Sequence, residues 1–178
     1  MDLSIVVTVY DHEKIVADLV AAIADQIRPR NLDFEIILVD DCSADGSAKE
    51  IERLARCFDF VKGIILFSNV GQNRAMTAGI DSASGDYVVI MDGDFENPVS
   101  AIMPLYDKII AEDFDIVCTV AKNRQSLSRE LTSALFYFTI RKVFRVNMVR
   151  NQLMMRIMSG VFVRKFRSVC RGKLEDSK

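Results

Sequence analysis

The residues of this sequence best suited to chemistry are carboxylates, and they recur at one kind of place. Asp92 and Asp94 flank a single glycine at the end of the apolar run YVVIMD, Asp40 and Asp41 close FEIILVD, and Tyr10, Asp11, His12 and Glu13 finish SIVVTVY. Clustered carboxylates repel a diphosphate, so a divalent cation must stand between the two. Mg²⁺ or Mn²⁺ takes hard oxygen ligands, commonly one or two carboxylates plus substrate phosphates, and D-x-D at a strand end supplies them. Gly93 lets the backbone approach a nucleotide closely. Such an ion would neutralise charge on a departing diphosphate and orient its phosphates. Each acid also has a plainer explanation: Asp40, Asp41 or Asp45 can cap the following helix, and a lone D-x-D arises by chance. The functional reading rests on three acidic sites at neighbouring strand ends.

The elements that must position these acids alternate along the chain. SIVVTVY, FEIILVD, GIILF, YVVIMD and DIVCTV are short, apolar and β-branched, as expected of parallel strands covered on both faces. Between them lie helical patterns. Ile15, Leu19, Ile23 and Ile27 recur every four residues, and a helix capped by Ser47 turns Ile51, Leu54, Ala55 and Phe58 inward. Further helices are expected over about 74–83, 101–112 and 127–145; Pro104 is tolerable only in the first turn of its helix. This alternation predicts an α/β fold, a Rossmann-like open and mostly parallel sheet with helices on both faces. Ligands of such sheets bind beyond the carboxyl ends of the strands, where these acids fall. The G-x-G-x-x-G of a dinucleotide site and the P-loop pattern are both absent.

Length and composition allow one core: 178 residues, half of them apolar. Cys42, Cys57, Cys118 and Cys170 form no C-x-x-C pair, which predicts reduced thiols in a cytoplasmic protein. The opening MDLSIVVTVY lacks the basic start of a signal peptide, and no apolar run approaches the roughly 20 residues of a membrane span. A net charge of −2 hides an asymmetry. Residues 1–130 hold 12 Lys and Arg against 23 Asp and Glu, a net of −11, whereas 131–174 hold ten basic residues and no acid. The chain accordingly divides into an acidic core, 1–125, and a basic helical segment, 126–178.

The stretches IVVTVYDHEKI, EIILVDDCSADGS, NVGQNRAMTAGIDSASGDYVVIMDGDFENP and DIVCTVAKNRQ resemble the family 2 glycosyltransferases of GT-A fold. NVGQNRAMTAGI, DFENP and TVAKNRQ look most like the polyprenyl-phosphate branch, to which dolichol-phosphate mannosyltransferase and undecaprenyl-phosphate aminoarabinose transferase belong. The resemblance implies that Thr8, Tyr10 and Glu13 line a nucleoside pocket, with Asp41 against the base and Asp40 beside it. It implies Asp92 at the ribose or metal, Asp94 at the metal, and Gly71 and Arg74 bordering the base or diphosphate. Thr8 stands where the family usually has proline, and Asp11-His12 replaces Asn-Glu, which affects contacts to the base. Val120-Ala121 replaces Val-Arg, leaving Lys122 or Arg124 to hold an acceptor phosphate. Relatives continue beyond the point where this chain stops, so a truncated or short form is expected.

Together these features predict inverting transfer of a sugar from a UDP- or GDP-type donor to a polyprenyl phosphate, or otherwise to a saccharide. An alcohol acceptor needs a general base, and His12, the only histidine, stands on the nucleoside side. A phosphate is already ionised and needs only cations, which 131–174 supply at an anionic membrane surface. The same stretch also suits a solvated helix face or snorkelling arginines. No nucleic-acid recognition motif accompanies it. The rival expectation is a nucleotide-sugar-binding domain or partner subunit without transferase activity; a nucleotidyltransferase is disfavoured by the lack of a Gly-rich, Arg-Lys loop after the first strand.

Overall fold

In the structure, a computed structural model describing residues 1–120 and 152–175, six strands form one sheet in the order β3-β2-β1-β4-β6-β5. β1 (Leu3–Val9) is buried along all seven residues and pairs in parallel with β2 (Phe34–Asp40) and β4 (Tyr87–Asp92). β2 pairs in parallel with β3 (Val61–Ile65). β6 (Gln152–Ser159) runs antiparallel between β4 and β5 (Ile116–Val120). The fold is thus the expected mostly parallel α/β sheet, with one reversed strand near its edge.

Two apolar layers cover the sheet because alternate strand residues face opposite sides. One layer joins Ile5, Val7, Val9, Ile36, Leu38, Val89 and Met91 to Leu19 and Ile23 of α1 (Val16–Ile27), Ile51 of α2 (Ser47–Cys57) and Ile102 of α4 (Ile102–Ala111). The other joins Val6, Ile37, Val39, Val88 and Ile90 to Ala75 and Ile80 of α3 (Gln72–Ser82) and Val163 of α5 (Gly160–Glu175). Each fully buried Val, Ile or Leu stabilises the fold by about 1.5–3 kcal/mol, so both faces are firmly held.

Several local expectations are corrected. The third strand is Val61–Ile65, not GIILF: Gly63 and Ile64 pair with Leu38 and Val39, and Phe67 lies outside the strand at 97% exposure. Phe58 is exposed rather than inward, because α2 ends at Cys57 and Phe58 turns to extended backbone. Ser47 does not cap α2. Gly46 occupies that position, and the Ser47 hydroxyl instead donates to Asp45 Oδ1 and accepts the His12 amide. Pro104 falls in the first turn of α4, after a 3₁₀ turn at Val99–Ala101. The helix expected over 127–145 lies outside the described residues.

The segment read as basic and helical also supplies β6, so residues 152–159 complete the same sheet as the acidic core. Asn97, 2% exposed, accepts the Met155 amide at 3.2 Å and ties β6 to the turn after β4. Two of the segment's cations serve the fold. Arg156 donates to Met154 O at 3.2 Å, and Arg167 donates to the carbonyls of Ile80 and Ala83 at the end of α3. No helix among the described residues is long and apolar enough to cross a membrane.

Candidate active site

The strand order reverses between β1 and β4, and a cavity of about 300 Å³ opens beyond their carboxyl ends. Thr8, Tyr10, His12, Asp41, Gly71, Asp92 and Asp94 are among its lining residues. Thr8 and Asp92 are register partners across β1 and β4, which brings the Thr8 hydroxyl 3.3 Å from Asp92 Oδ1. The side-chain Nε2 of Gln72, on the first turn of α3, donates to the same Oδ1. Asp92 is therefore oriented by two donors on one oxygen, and Oδ2 takes part in neither bond.

Gly93 is dictated by space. A Cβ there would sit 2.9 Å from Thr8 O and 3.2 Å from His12 Nδ1. Its amide donates to Thr8 O at 2.9 Å, so the chain turns tightly and both acids emerge on one turn. Asp94 Oδ1 accepts the Glu96 amide at 2.9 Å, and Phe95 between them is held at φ 62°, a conformation unusual for a residue with a side chain.

The loop at 69–71 is fixed from below by Asp41. This carboxylate, 5% exposed, accepts the amides of Val70 at 2.8 Å and Gly71 at 2.9 Å. Gly71 has φ 84° and precedes α3 with no side-chain cap, so the corner depends on a glycine and on Asp41. Tyr10 stands at the rim, 48% exposed.

Not every expected residue faces this cavity. Glu13 turns away: its Oε2 accepts the Gly46 amide at 3.2 Å, and its own amide donates to Asp45 Oδ2 at 3.0 Å. Asp40, 1% exposed, is occupied by the amide and hydroxyl of Ser43. Arg74 is exposed on the first turn of α3 and is not among the lining residues. Lys122 and Arg124 lie outside the described residues. Asn69 and Gln72 line the cavity without having been singled out, because the folding of NVGQN around Gly71 alone decides which of its side chains point inward. Asp45, by contrast, is a structural acid. Burial would raise its pKa, and hydrogen bonds from Ser47 and from the Glu13 amide hold it down.

The residues present fit a divalent ion. No three His, Cys, Asp or Glu side chains converge into a cage among the described residues. Mg²⁺ and Mn²⁺ sites built from one or two carboxylates plus substrate phosphates require none, and Asp92 and Asp94 on one tight turn provide that donor set.

Residues 4–176 match the family described as Glycosyl transferase family 2. The undecaprenyl-phosphate 4-deoxy-4-formamido-L-arabinose transferase of Proteus mirabilis is 38% identical over 123 residues, covering 68% of this chain and 37% of that protein. The protein of the same name from Pseudomonas fluorescens is 36% identical over 159 residues, covering 86% of this chain and 45% of that one. The chain thus spans less than half the length of these two relatives. Among solved structures, the mannosyltransferase PcManGT from Pyrobaculum calidifontis, in complex with GDP-Man and Mn²⁺, matches with a TM-score of 0.65 at 17% identity, covering 92% of this chain and 46% of that one. TarS 1-349 of S. aureus in complex with UDP-GlcNAc matches at 0.55 and 24% identity, covering 71% and 37%. These likenesses establish the GT-A fold. With nearly all of its length matched, the chain belongs to glycosyl transferase family 2.

Proposed function

We propose that this protein transfers a sugar from a UDP- or GDP-type donor to a polyprenyl phosphate, with inversion and with Mg²⁺ or Mn²⁺ held by Asp92 and Asp94. The observation that carries the reading is the Thr8–Asp92–Gln72 junction, which joins β1, β4 and α3 around one tight acidic turn at the mouth of the cavity. Named relatives act on undecaprenyl phosphate, and neighbours of the same fold hold UDP-GlcNAc or GDP-Man with Mn²⁺, which supports donor and acceptor classes alike.

Thr8, Tyr10, Asp41 and Gly71 form the nucleoside end of the cavity in this reading. The Tyr10 ring offers a face for stacking a base, and Asp41 keeps the 69–71 loop in place beneath it. Glu13 and Asp40 support this end from outside the cavity, and Arg74, exposed on the first turn of α3, is the proposed cation toward the diphosphate. A bound ion supplies charge neutralisation for the departing diphosphate. The acceptor phosphate is ionised at neutral pH, so the chain needs no general base and supplies only positioning. Lys122 and Arg124 are the proposed cations for that phosphate, and the cations of 131–174 other than Arg156 and Arg167, which serve the fold, the proposed contact with the cytoplasmic face of a membrane.

Transfer from UDP- and GDP-sugars to undecaprenyl phosphate and to a saccharide, assayed with Mn²⁺ and with a chelator, tests the reading. Metal-dependent transfer to the lipid phosphate is expected. Transfer only to the saccharide would overturn the acceptor. Metal-dependent UDP binding with no transfer to either acceptor would favour a binding domain or partner subunit.

A further inference from the structure

His12 carries a polar atom that the fold leaves unsatisfied. Its Nδ1 is buried without a hydrogen-bond partner, pressed against the acidic turn where a Cβ at Gly93 would lie 3.2 Å away. The backbone around it is pinned on both sides. The His12 amide donates to Ser47 Oγ at 2.9 Å, and the His12 carbonyl accepts the amides of Ile15 and Val16, each at 3.1 Å. Asp11 before it is held at φ 56° by its own contacts, its amide donating to Ser43 Oγ at 2.9 Å and its Oδ1 accepting the Ala44 amide at 2.8 Å. The corner that carries the ring is therefore fixed, and in the place it gives the ring Nδ1 has no partner.

A neutral imidazole places one proton on one of two nitrogens, and the surroundings choose which. A proton on Nδ1 would be a buried donor with no acceptor, the more penalised arrangement. The other nitrogen, Nε2, belongs to a ring that lines the cavity with Thr8, Asp41 and Asp92.

We infer that His12 is a specificity-determining hydrogen-bond donor to the nucleotide: the packing of Nδ1 against Gly93 fixes the proton on Nε2, which donates to an acceptor oxygen of the bound nucleoside diphosphate. The inference rests on the nucleotide-sugar reading of the cavity. It gives the ring a binding role in place of base catalysis, because the nitrogen it offers the cavity carries a proton and has no lone pair to receive one. The acceptor oxygens of Asp41 and Asn69 already take amides of the 69–71 loop, and Asp92 Oδ1 takes Thr8 and Gln72, so a fixed N–H adds a donor at this end that favours a ligand oxygen.

Two measurements test it. Long-range ¹H–¹⁵N spectra of the imidazole in the free protein are expected to report the Nε2–H tautomer, and the Nδ1–H tautomer would overturn the inference. Titrations of UDP and GDP with Mn²⁺ then compare the wild type with His12→Phe, which keeps a ring beside Gly93, and His12→Gln, whose amide reaches the place of Nε2. Affinity is expected to fall about five- to tenfold in His12→Phe and to stay within about threefold in His12→Gln, with the unfolding temperatures unchanged. Parallel titrations with uridine and UMP, or guanosine and GMP, locate the accepting oxygen on nucleoside or phosphate. Equal binding by wild type and His12→Phe would overturn this inference alone, whereas a wild type that binds neither UDP nor GDP overturns the reading beneath it.

Discussion

Asp41 holds Gly71: Oδ2 accepts the glycine amide at 2.9 Å while Oδ1 accepts the neighbouring Val70 amide at 2.8 Å. Both carboxylate oxygens thus face backbone, and the loop they fix carries Asn69, Gly71 and Gln72 into the cavity. Asp41 thus lines the cavity and at the same time holds the loop that forms its wall.

Asp41→Asn should therefore damage fold and binding together. The substituted amide presents N–H to N–H at one of the two bonds, and leaving a buried donor unpaired costs about 1–3 kcal/mol. Chemical denaturation should register that loss. UDP or GDP affinity, measured in the folded fraction, should drop at least about tenfold as the 69–71 loop loosens; unchanged affinity would show the loop to be held by other contacts.

Asp94→Ala should separate metal from fold. The side chain makes one local bond, to the Glu96 amide at 2.9 Å, and is half-buried, so the unfolding free energy should change by no more than about 1 kcal/mol. The enhancement of nucleotide binding by Mn²⁺, followed by calorimetry with and without the ion, should disappear. Undiminished Mn²⁺-dependent binding and transfer would remove Asp94 from the metal site.

Glu35, at the opposite end of the sheet, should govern stability in acid. It is 1% exposed, accepts from Ser4 Oγ at 2.6 Å and from Ser84 Oγ at 2.7 Å, and pairs with Lys62 at 2.5 Å. Burial pushes its carboxyl up, and the bonds from Lys62, Ser4 and Ser84 together outweigh this, bringing it to about 2 against an ordinary 4.5. The folded value lies below the unfolded one, so the stabilisation is complete above about pH 4.5 and is lost as pH falls toward 2. The difference corresponds to roughly 3 kcal/mol. Urea denaturation between pH 6 and 2.5 should show that slope in the wild type and lose most of it in Glu35→Gln, with nucleotide binding at neutral pH unchanged in both.

Gly79→Ala should destabilise even though alanine favours a helix by about 1 kcal/mol. The added methyl would come within 2.3 Å of Val6 Cγ1 and 2.9 Å of Val39 Cγ2, two β-branched side chains with little rotamer freedom. Overpacking of this kind costs about 1–3 kcal/mol, so the net effect is a lower unfolding temperature. A higher one would mean that α3 can lift off the sheet without loss.

Much of the fold was legible in the sequence because its central strands are buried on both faces. Continuous β-branched runs such as Ile36–Val39 have no other stable home, and the bounds of β2 and β4 follow from them directly. Edges were harder. β3 begins two residues before GIILF, since pairing with β2 selects Val61 and Lys62 over Leu66 and Phe67. β6 gave no local signal: its Met-rich, Arg-containing run has neither strand alternation nor β-branched enrichment, and its place between β4 and β5 is a pairing between segments far apart in the chain.

The division in the site is similar. Sequence alone determined that acids end three of the strands and that Asp92-Gly93-Asp94 closes one of them, because strand period and the residues that follow a strand are local properties; that these strands are neighbours was decided by the sheet order. Only tertiary structure decided which acids face the cavity. Asp40, buried, was drawn to the Ser43 donors, as buried carboxylates go where donors are, and the exposed Glu13 was turned toward the Gly46 amide by the packing of its loop against residues 45–46. Gln72 came to orient Asp92, and His12 came to rest on Gly93, through contacts between loops 20 and more than 80 residues apart in sequence that no local pattern encodes.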